Sequence, residues 1–314
     1  MNWSNGRAVY MSLLRNLKAG KERIEVRQKI CKEIADEAVA ALLEEVELTP
    51  KPGLVDMRNN GSHLDLNIPM MRESAICLHD TFYKMADLHY DKSPTVLLRE
   101  QFGAIGRIGE KRMYAVTNGV NTHKGAIWSI GLLCTAIARR KGDISFPQVL
   151  DDAAELAKLT DRLIPVQQTN GGNVKKKYGM PGAREEAQSG FPHIKNFSYP
   201  TYKKMRETRT STVAKLLTLL ALVSNLNDTC LAHRGGLEAL DYAQKEAGKA
   251  IQNFSDEALF RLDDEFIKRW ISPGGSADLL AATFFISNWI SKNQRSVRYG
   301  EVDLYISGKS THST

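Results

Sequence analysis

The chain has 314 residues, of which 42% are hydrophobic and 25% are charged, and this composition is ordinary for a globular protein. The length allows one large domain or two and is sufficient to bury a substantial core. A formal net charge of +7 suits anionic partners, although charge alone does not separate a nucleotide from nucleic acid or lipid. The longest apolar run, Leu216–Val223, is too short to cross a bilayer of about 30 Å, so we expect no membrane span.

The cysteines and the first residues of the chain indicate a cytoplasmic protein. The four cysteines are far apart and form no C-x-x-C pair, so we expect reduced core residues and no thiolate zinc site. Residues 1–20 lack the continuous apolar segment of a secretory signal. Lysines and arginines are spread along the chain without interleaved aromatic residues, which argues against a nucleic-acid partner.

Apolar residues recur at helical spacing through most of the sequence and predict an all-α fold. We expect a single domain of about ten helices at 21–295, with an N-terminal arm at 1–20 and a C-terminal tail at 296–314. The arm would contain a short helix, Val9–Leu17, and the tail a short strand, Arg298–Ile306. The helices are expected at Lys21–Leu48, Pro69–Tyr90, Pro94–Arg112, Asn121–Arg140, Phe146–Gln168, Thr208–Leu226, Leu237–Ile251 and Asp256–Trp270, and a last long helix begins within Ile271–Ala282.

The polar motifs fall at helix ends or between helices, where the loops of a bundle can converge at one end. The loop after the first long helix opens with the stiff segment Thr49–Gly53 and continues with a dense group of polar residues. Glu45 precedes this loop on an otherwise apolar helix face, where a carboxylate needs a partner. The pattern is compatible both with a functional site and with a solvated turn.

The segment G-V-N-T-H-K-G, Gly119–Gly125, opens a helix that is nearly free of charge. The free N–H groups and the dipole of a helix N-terminus favour anions, and His123 and Lys124 add an imidazole and an ammonium there. The pattern predicts a phosphate site at the start of a buried helix. A structural role for a lone histidine is also compatible with it.

Two later segments combine glycine with charge. Thr169–Pro192 is glycine-rich and basic, so we expect either a loop whose backbone approaches phosphates or a flexible surface segment. Asp228 and Arg234 stand beside a glycine turn. The segment P-G-G-S then makes a tight entry to the last helix, with Ser276 as a good N-cap and Asp278 in the first turn. A helix-capping role alone would also explain Ser276 and Asp278.

No Walker loop, strand-linked G-x-G-x-x-G, kinase signature or G-x-S-x-G elbow occurs in the chain. In combination, however, the motifs resemble those of the triphosphoribosyl-dephospho-CoA synthase family, over about Ala41–Ile290. The motifs are, in chain order, P-K-P-G-L-V-D (Pro50–Asp56), G-S-H-L-D (Gly61–Asp65), G-V-N-T-H-K-G (Gly119–Gly125), Y-G-x-x-G-A-R-E-E-A-x-x-G-F-P (Tyr178–Pro192), D-T-x-x-x-x-R-G-G (Asp228–Gly236) and S-P-G-G-S-A-D-L-L-A (Ser272–Ala281).

The resemblance implies an enzyme that makes the precursor of the prosthetic group of citrate lyase or malonate decarboxylase. Its reaction would join the 5-triphosphoribosyl group of ATP to the ribose 2′-hydroxyl of 3′-dephospho-CoA and release adenine. A separate enzyme would load the product onto an acyl carrier protein, and a homodimer is one option for this chain. A helical kinase or nucleotidyltransferase and an N-ribosyl hydrolase stay open as alternatives.

Such a reaction passes through a transition state like an oxocarbenium ion and sets three tasks. The triphosphate must be bound, the leaving adenine must be protonated, and the 2′-hydroxyl must lose its proton to a base. The candidate acid and base residues are Glu45, Asp56, His123 and Glu186. The sequence does not choose the base among them.

Mg²⁺ is expected with the triphosphate and would be held by carboxylates and by the phosphates themselves. Asp228 and Asp278 are the candidate metal ligands. The start of the last helix and several cations are candidates for the phosphates. The predicted substrate- and phosphate-binding residues are Lys51, Lys124, Arg184, Arg234, Gly274, Gly275 and Ser276.

Overall fold

The computed structural model describes the backbone of residues 3–165 and 169–307 and the side chains of residues 16–165 and 169–293. Within these ranges the chain forms thirteen α-helices, one π-helix and no strand, which confirms the predicted all-α class. The elements are α1 (Trp3–Val46), α2 (Ile68–Cys77), α3 (His79–His89), α4 (Val96–Val116), α5 (Lys124–Arg139), α6 (Phe146–Lys158), α7 (Asn170–Tyr178), α8 (Ala183–Gln188), the π-helix (Ile194–Ser198), α9 (Tyr199–Thr208), α10 (Ser211–Asn225), α11 (Thr229–Gln252), α12 (Asp256–Lys268) and α13 (Gly274–Ser307).

Helix α5 lies in the core because most of its side chains are apolar. Twelve of its sixteen residues are buried, and it packs against α1, α3, α4, α6 and α13. A helix that is apolar on nearly every face must be surrounded by other helices to leave water. Helix α10 is buried in the same way against α9, α11 and α13. The polar segment that precedes α5 is therefore attached to a rigid core.

Two predicted helices are shorter in the structure. The helix predicted at Pro69–Tyr90 is divided at Leu78 into α2 and α3, because the Leu78 N–H bonds to Ala75 O and closes α2 with a tight turn. The helix predicted at Phe146–Gln168 ends as α6 at Lys158, where the backbone becomes extended. Its last predicted residues, 166–168, lie outside the described residues.

Two segments contain more helix than predicted. The loop predicted at Thr169–Pro192 folds in part into α7 and α8, because Thr169 caps α7 and Val174 is buried in the core. In α11 the predicted Leu237–Ile251 segment is helical, and a kink at Gly235–Gly236 separates it from a further helical segment that begins at Thr229 and was not predicted. Glycine content therefore marked the break in α11 but was a poor guide to α7 and α8.

The ends of the chain also differ from prediction. Helix α1 continues without a break from Trp3, so the short helix predicted at Val9–Leu17 is part of it. The strand predicted at Arg298–Ile306 is wrong, because α13 continues through this segment and meets no proline that would stop it. The division into an arm, a domain and a tail stays a prediction. None of the described helices is long and apolar enough to span a membrane.

The loop between α1 and α2 is fixed against the turn between α12 and α13. The Gly53 N–H donates to Asp263 Oδ1 at 2.9 Å, and the Ser62 hydroxyl donates to Ile271 O at 2.6 Å. Gly53 has a φ of +72°, and a Cβ there would lie 2.3 Å from Ile271 O, so only glycine fits. The loop is thereby held beside the entry to α13.

Candidate active site

Asp228 connects the N-termini of two helices. It is the N-cap of α11, where its Oδ1 accepts a hydrogen bond from the Cys230 N–H at 2.8 Å. Its Oδ2 accepts bonds from the N–H and the hydroxyl of Ser276, in the first turn of α13, at 2.8 and 3.0 Å. The Gly275 N–H donates to Oδ1 at 3.3 Å. One buried carboxylate therefore satisfies free N–H groups of both helices.

Asp278 makes a similar connection between α13 and α5. The N-cap residue of α5, His123, makes no side-chain capping hydrogen bond. The carboxylate of Asp278 lies against the start of α5, close to the Ala126 N–H. A Cβ on Gly125 would lie 1.9 Å from Asp278 Oδ2, so this approach requires the glycine of H-K-G. The N-termini of α5, α11 and α13 thus share two carboxylates.

Glu45 and Lys51 form a buried ion pair at the C-terminal end of α1. Lys51 Nζ donates to Glu45 Oε1 at 2.6 Å, and the side chains of Lys51 and Glu45 are only 1% and 4% exposed. Asp56 accepts bonds from the backbone N–H groups of Lys51, Arg58 and Asn59 at 2.9, 2.7 and 3.1 Å. Asp56 thereby shapes the loop that supplies the lysine. Glu45 has the partner that its place on an apolar face requires.

The imidazole of His123 is buried and neutral. Its Nδ1 lies 2.8 Å from Ser74 Oγ, while its buried Nε2 has no hydrogen-bond partner among the described residues. Burial, together with the charge of Lys51, lowers the pKa of His123 to about 3. The ring therefore carries no charge at physiological pH. An unpaired polar atom in this position is free to bond to a ligand.

The two aspartates at the helix N-termini have raised pKa values. Burial raises the pKa of Asp228, and its hydrogen bonds from the start of α13 oppose this effect. Burial also raises the pKa of Asp278, and the charges of Glu45 and Asp228 carry it well above its ordinary value. Of the three carboxyl groups, only Glu45 is paired with the buried ammonium of Lys51. Glu45, Lys51, His123, Asp228 and Asp278 are termed the carboxylate centre.

Lys124 and Arg184 lie on a different face of the start of α5. Lys124 Nζ pairs with Glu110 Oε2 of α4 at 3.1 Å. Trp128, one turn further along α5, donates from Nε1 to Ala183 O at 3.0 Å. This bond attaches the start of α8 to α5 and brings the exposed Arg184 close to it. Of these two predicted phosphate-binding cations, Lys124 is the first residue of α5 and Arg184 lies beside this helix.

Arg234 and Glu186 have partners outside the carboxylate centre. Arg234 Nη1 donates to Ser62 O at 2.7 Å, and its Nη2 lies 3.0 Å from His63 Nδ1. Glu186 Oε1 accepts a bond from the His193 N–H at 3.0 Å, and its Oε2 lies 2.7 Å from His193 Nδ1. The hydrogen bond from the imidazole to Glu186 raises the pKa of His193.

The structure therefore brings together most, but not all, of the predicted site residues. Their catalytic, phosphate-binding and metal-binding roles stay predictions. The residues brought to the carboxylate centre or its border are Glu45, Lys51, Asp56, His123, Asp228, Gly275, Ser276 and Asp278, and Gly274 packs against Cys230.

Sequence reasoning missed several residues that contact this region. Ser74 gives no signal of its own, being one polar residue on a short helix. Arg99 and Arg107 were detectable, because they share one face of a predicted helix. The missed residues are Ser74, Arg99, Arg107, Glu110, Trp128, Asp161 and His193.

The arrangement of acidic residues bears on the expected Mg²⁺. Among the described residues no group of three His, Cys, Asp or Glu side chains is placed to hold a metal ion. Mg²⁺ that is bound mainly by phosphates needs only one or two carboxylates. The oxygens of Asp228 already accept four hydrogen bonds, whereas Asp278 meets only the Ala126 N–H in the described part of the chain. Of the two predicted ligands, Asp278 fits a metal better.

The fold and the site define an all-helical protein whose ionisable groups are buried where three helices begin, as in an enzyme active site. Residues 31–297 match the model of the family described as ATP:dephospho-CoA triphosphoribosyl transferase. The chain belongs to this family of transferases, which confirms the family predicted from the motifs.

The chain is also similar to curated proteins over most of its length. The 2-(5''-triphosphoribosyl)-3'-dephosphocoenzyme-A synthase of Klebsiella pneumoniae is 42% identical over 81% of this chain and 93% of its own length. The probable synthases of the same name from Pseudomonas savastanoi and Azotobacter vinelandii are also 42% identical, over 82% and 83% of this chain and 91% and 92% of their own lengths. No solved structure matches the chain.

Replacing Lys51 by methionine should destabilise the protein, because Glu45 would keep a buried charge without a partner. Breaking a buried pair in this way lowers the free energy of unfolding by about 3–5 kcal/mol. The double variant Lys51→Met, Glu45→Gln should recover most of the loss. Urea unfolding followed by circular dichroism measures both variants. Equal stabilities of the single and double variants would show that the pair is not coupled.

Replacing Asp278 by asparagine should stabilise the protein at pH 8. Because the pKa of Asp278 is raised on folding, the native state binds this proton more tightly than the unfolded state. The wild type therefore gains stability as the pH falls through the folded pKa, until the unfolded carboxyl also takes up its proton. Asparagine does not titrate, so the stability advantage of the Asp278→Asn variant over the wild type should shrink as the pH falls from 8 to 4.

Urea unfolding at several pH values measures this advantage. The exposed Asp241→Asn variant on α11 is the control for the loss of one negative charge. An advantage of Asp278→Asn that is independent of pH, or no advantage at pH 8, would contradict the prediction.

Proposed function

We propose that this protein transfers the 5-triphosphoribosyl group of ATP to the ribose 2′-hydroxyl of 3′-dephospho-CoA and releases adenine. Membership of the family supports the substrates. The observation that supports the chemistry is the carboxylate centre, in which Glu45, Asp228 and Asp278 are buried and the charges of Glu45 and Asp228 raise the pKa of Asp278. A site with an excess of buried carboxyl groups suits a reaction that develops positive charge.

The proposed reaction has a simple balance of bonds and protons. The bond from the ribose C1 to the adenine nitrogen breaks, and its electron pair leaves with adenine. A bond forms between C1 and the 2′-oxygen of dephospho-CoA. The hydroxyl loses one proton and the adenine gains one, so a single group that gives and then takes a proton is sufficient. Positive charge develops at C1 and the ring oxygen, as in glycoside hydrolysis.

Asp278 is the carboxyl group that we assign to proton transfer. The oxygens of Asp56 are bonded to three backbone N–H groups, and those of Asp228 accept four hydrogen bonds. Glu45 is paired with Lys51. Asp278 retains hydrogen-bonding capacity, and its strongly raised pKa allows it to hold a proton for the leaving group. Once ionised, it can accept the proton of the incoming hydroxyl.

Glu45 and His123 support this step in different ways. Lys51 holds Glu45 in place through the 2.6 Å ion pair, so we propose that the lysine acts through this carboxylate. Glu45 adds negative charge near the developing cation. The neutral His123 ring offers an unpaired Nε2 that can form a hydrogen bond with a substrate without adding charge.

Phosphate binding is assigned to the cations around this centre. Lys124 and Arg184 adjoin α5, and Arg234 lies at the α11 side. The N–H groups of Gly275 and Ser276 bond to Asp228, so a phosphate at α13 would share these donors with that carboxylate. Mg²⁺ is expected with the triphosphate and would be bound mainly by the phosphates. Asp228 would supply the protein oxygen, because Asp278, although it has more free hydrogen-bonding capacity, is assigned to proton transfer. The metal ion would neutralise phosphate charge when bound.

The resemblance to the family also supports a proposal for the biological setting. We propose that the product is a prosthetic-group precursor for citrate lyase or malonate decarboxylase, which a separate enzyme loads onto an acyl carrier protein. The four cysteines are free thiols, in keeping with the reducing cytoplasm that we propose as the compartment. A homodimer stays one option for the assembly.

Incubation of the protein with Mg-ATP and dephospho-CoA should yield free adenine and a heavier CoA adduct in equal amounts. Liquid chromatography with mass detection measures both products. Formation of ADP, AMP or pyrophosphate would indicate a kinase or nucleotidyltransferase and would contradict the proposal. Adenine released equally well without dephospho-CoA would indicate an N-ribosyl hydrolase.

The Asp278→Asn variant should lower kcat by about 10²–10⁴-fold, the usual contribution of a positioned acid or base. Its affinity for ATP, measured by equilibrium dialysis, should change little, because the proton transfer concerns the sugar and the base. Asp241→Asn on the surface of α11 is the matched control and should keep wild-type turnover. Near wild-type turnover of Asp278→Asn would remove this residue from the mechanism.

A further inference from the structure

Two arginines converge on one buried carboxylate at the side of α5. Arg99 and Arg107, about two turns apart on α4, both contact Asp161 Oδ2, at 3.4 and 3.0 Å. Gly103 lies between them, and a Cβ there would lie 2.1 Å from the same oxygen. The absence of a side chain at Gly103 thus lets Asp161 reach both guanidinium groups.

Arg184 adds a third guanidinium to this place. Trp128 bonds to Ala183 O, which brings the next residue to α5, and the Trp128 ring lies 5.0 Å from Arg99 Cζ. Burial lowers the pKa of Arg99, Asp161 opposes this, and the charges of Arg184 and Arg107 lower it further. Arg99, Arg107 and Arg184 are termed the arginine cluster.

The arginine cluster carries more positive charge than neighbouring carboxylates neutralise and more hydrogen-bond donors than neighbouring acceptors satisfy, among the described residues. The guanidinium groups of Arg99 and Arg107 share the single carboxylate of Asp161. The charge of Arg184 acts on Arg99, and no ion pair of Arg184 occurs in the described part of the chain. Arg99 is 3% exposed, and its Nε is buried without a hydrogen-bond partner. A buried donor without a partner is unfavourable unless a ligand supplies an acceptor. Phosphate oxygens match several guanidinium donors at once.

We propose that Arg99, Arg107 and Arg184 form a binding site for the phosphate chain of a substrate. This inference rests on the proposed function, because both of its substrates carry linked phosphates. Two sources fit the chemistry, the triphosphate of ATP and the pyrophosphate of dephospho-CoA.

The place of the cluster in the fold agrees with this assignment. Gly125 faces Asp278 of the carboxylate centre, and Trp128, which contacts Arg99, follows it by three residues on α5. A rise of about 1.5 Å per residue separates them by roughly one turn, about 5 Å along the helix axis. Lys124, which directly precedes Gly125 on α5, is paired with Glu110. A phosphate chain bound by the arginine cluster would therefore lie about one turn of α5 away from the carboxylate centre.

Isothermal titration with inorganic triphosphate tests the arginine cluster directly. The wild type should bind this probe, and Arg107→Gln and Arg184→Gln should each weaken binding about tenfold or more, as expected for charge-assisted hydrogen bonds. Arg162→Gln is the matched control, because Arg162 follows Asp161 in the chain but pairs with Glu100 instead. No binding to the wild type, or equal binding to all four proteins, would overturn the proposal.

Arg99 needs a milder change because it is buried. Arg99→Lys keeps the charge and loses the planar fork of donors, so it should weaken triphosphate binding while circular dichroism stays that of the wild type. A fully folded Arg99→Lys protein that binds triphosphate as tightly as the wild type would remove Arg99 from the site.

Separate titrations with ATP and with dephospho-CoA identify the source of the phosphates. A loss of affinity in Arg107→Gln and Arg184→Gln for ATP alone assigns the cluster to the triphosphate, and a loss for dephospho-CoA alone assigns it to the pyrophosphate. Unchanged affinity for both substrates would overturn the inference. If the wild type forms adenine and adduct but the variants bind normally, this inference fails and the proposed function stands. If the variants lose triphosphate binding but the wild type releases no adenine, this inference stands and the proposed function fails.

Discussion

Three helices begin at one point in this molecule, and the need to satisfy their free N–H groups determines much of the surrounding structure. Asp228 and Asp278 supply acceptors from inside the core to α11, α13 and α5. Because their carboxylates are short, the helices must approach closely, which explains the glycines at Gly125 and Gly275. The apolar bodies of α5 and α10 then hold the helices in place. Loss of the side-chain acceptor at either aspartate would therefore disturb more than one helix.

The same arrangement balances two opposing electrostatic effects. Helix dipoles and N–H donors favour the ionised form of a carboxyl group, whereas burial and neighbouring carboxylates favour the protonated form. Asp228 is surrounded by donors, while Asp278 has fewer donors and faces the charges of Glu45 and Asp228, so its pKa is raised further. Two aspartates in one region thus differ in proton affinity because of their surroundings, the condition under which carboxyl groups take separate roles in catalysis.

Local pattern was sufficient for the fold class and for most of the helices, and insufficient for several helix ends and for contacts that depend on packing. Asp228 was predicted beside a glycine turn, and this turn is present as the kink at Gly235–Gly236, but the helical segment from Thr229 that precedes it was not predicted. In α7, glycine predicted a loop, but the buried side chain of Val174 outweighs the weak helix propensity. The contact between Arg99 and Asp161 joins residues 62 positions apart, and no local period reports such a pair. Its one local sign was Gly103 between cations on a single face of α4.

Helix α5 relates the two charged regions to each other. At its start it meets acidic groups, and one turn later it meets guanidinium groups. In the proposed reaction, a nucleotide that loses its base becomes cationic at the sugar and stays anionic along its phosphates, so the two regions would favour opposite ends of the same molecule. Since both regions are fixed to one buried helix, their separation cannot adjust to a ligand without moving the core. A substrate bound in the reverse direction would place phosphates beside carboxylates. The resulting repulsion would favour one orientation of the bound substrate.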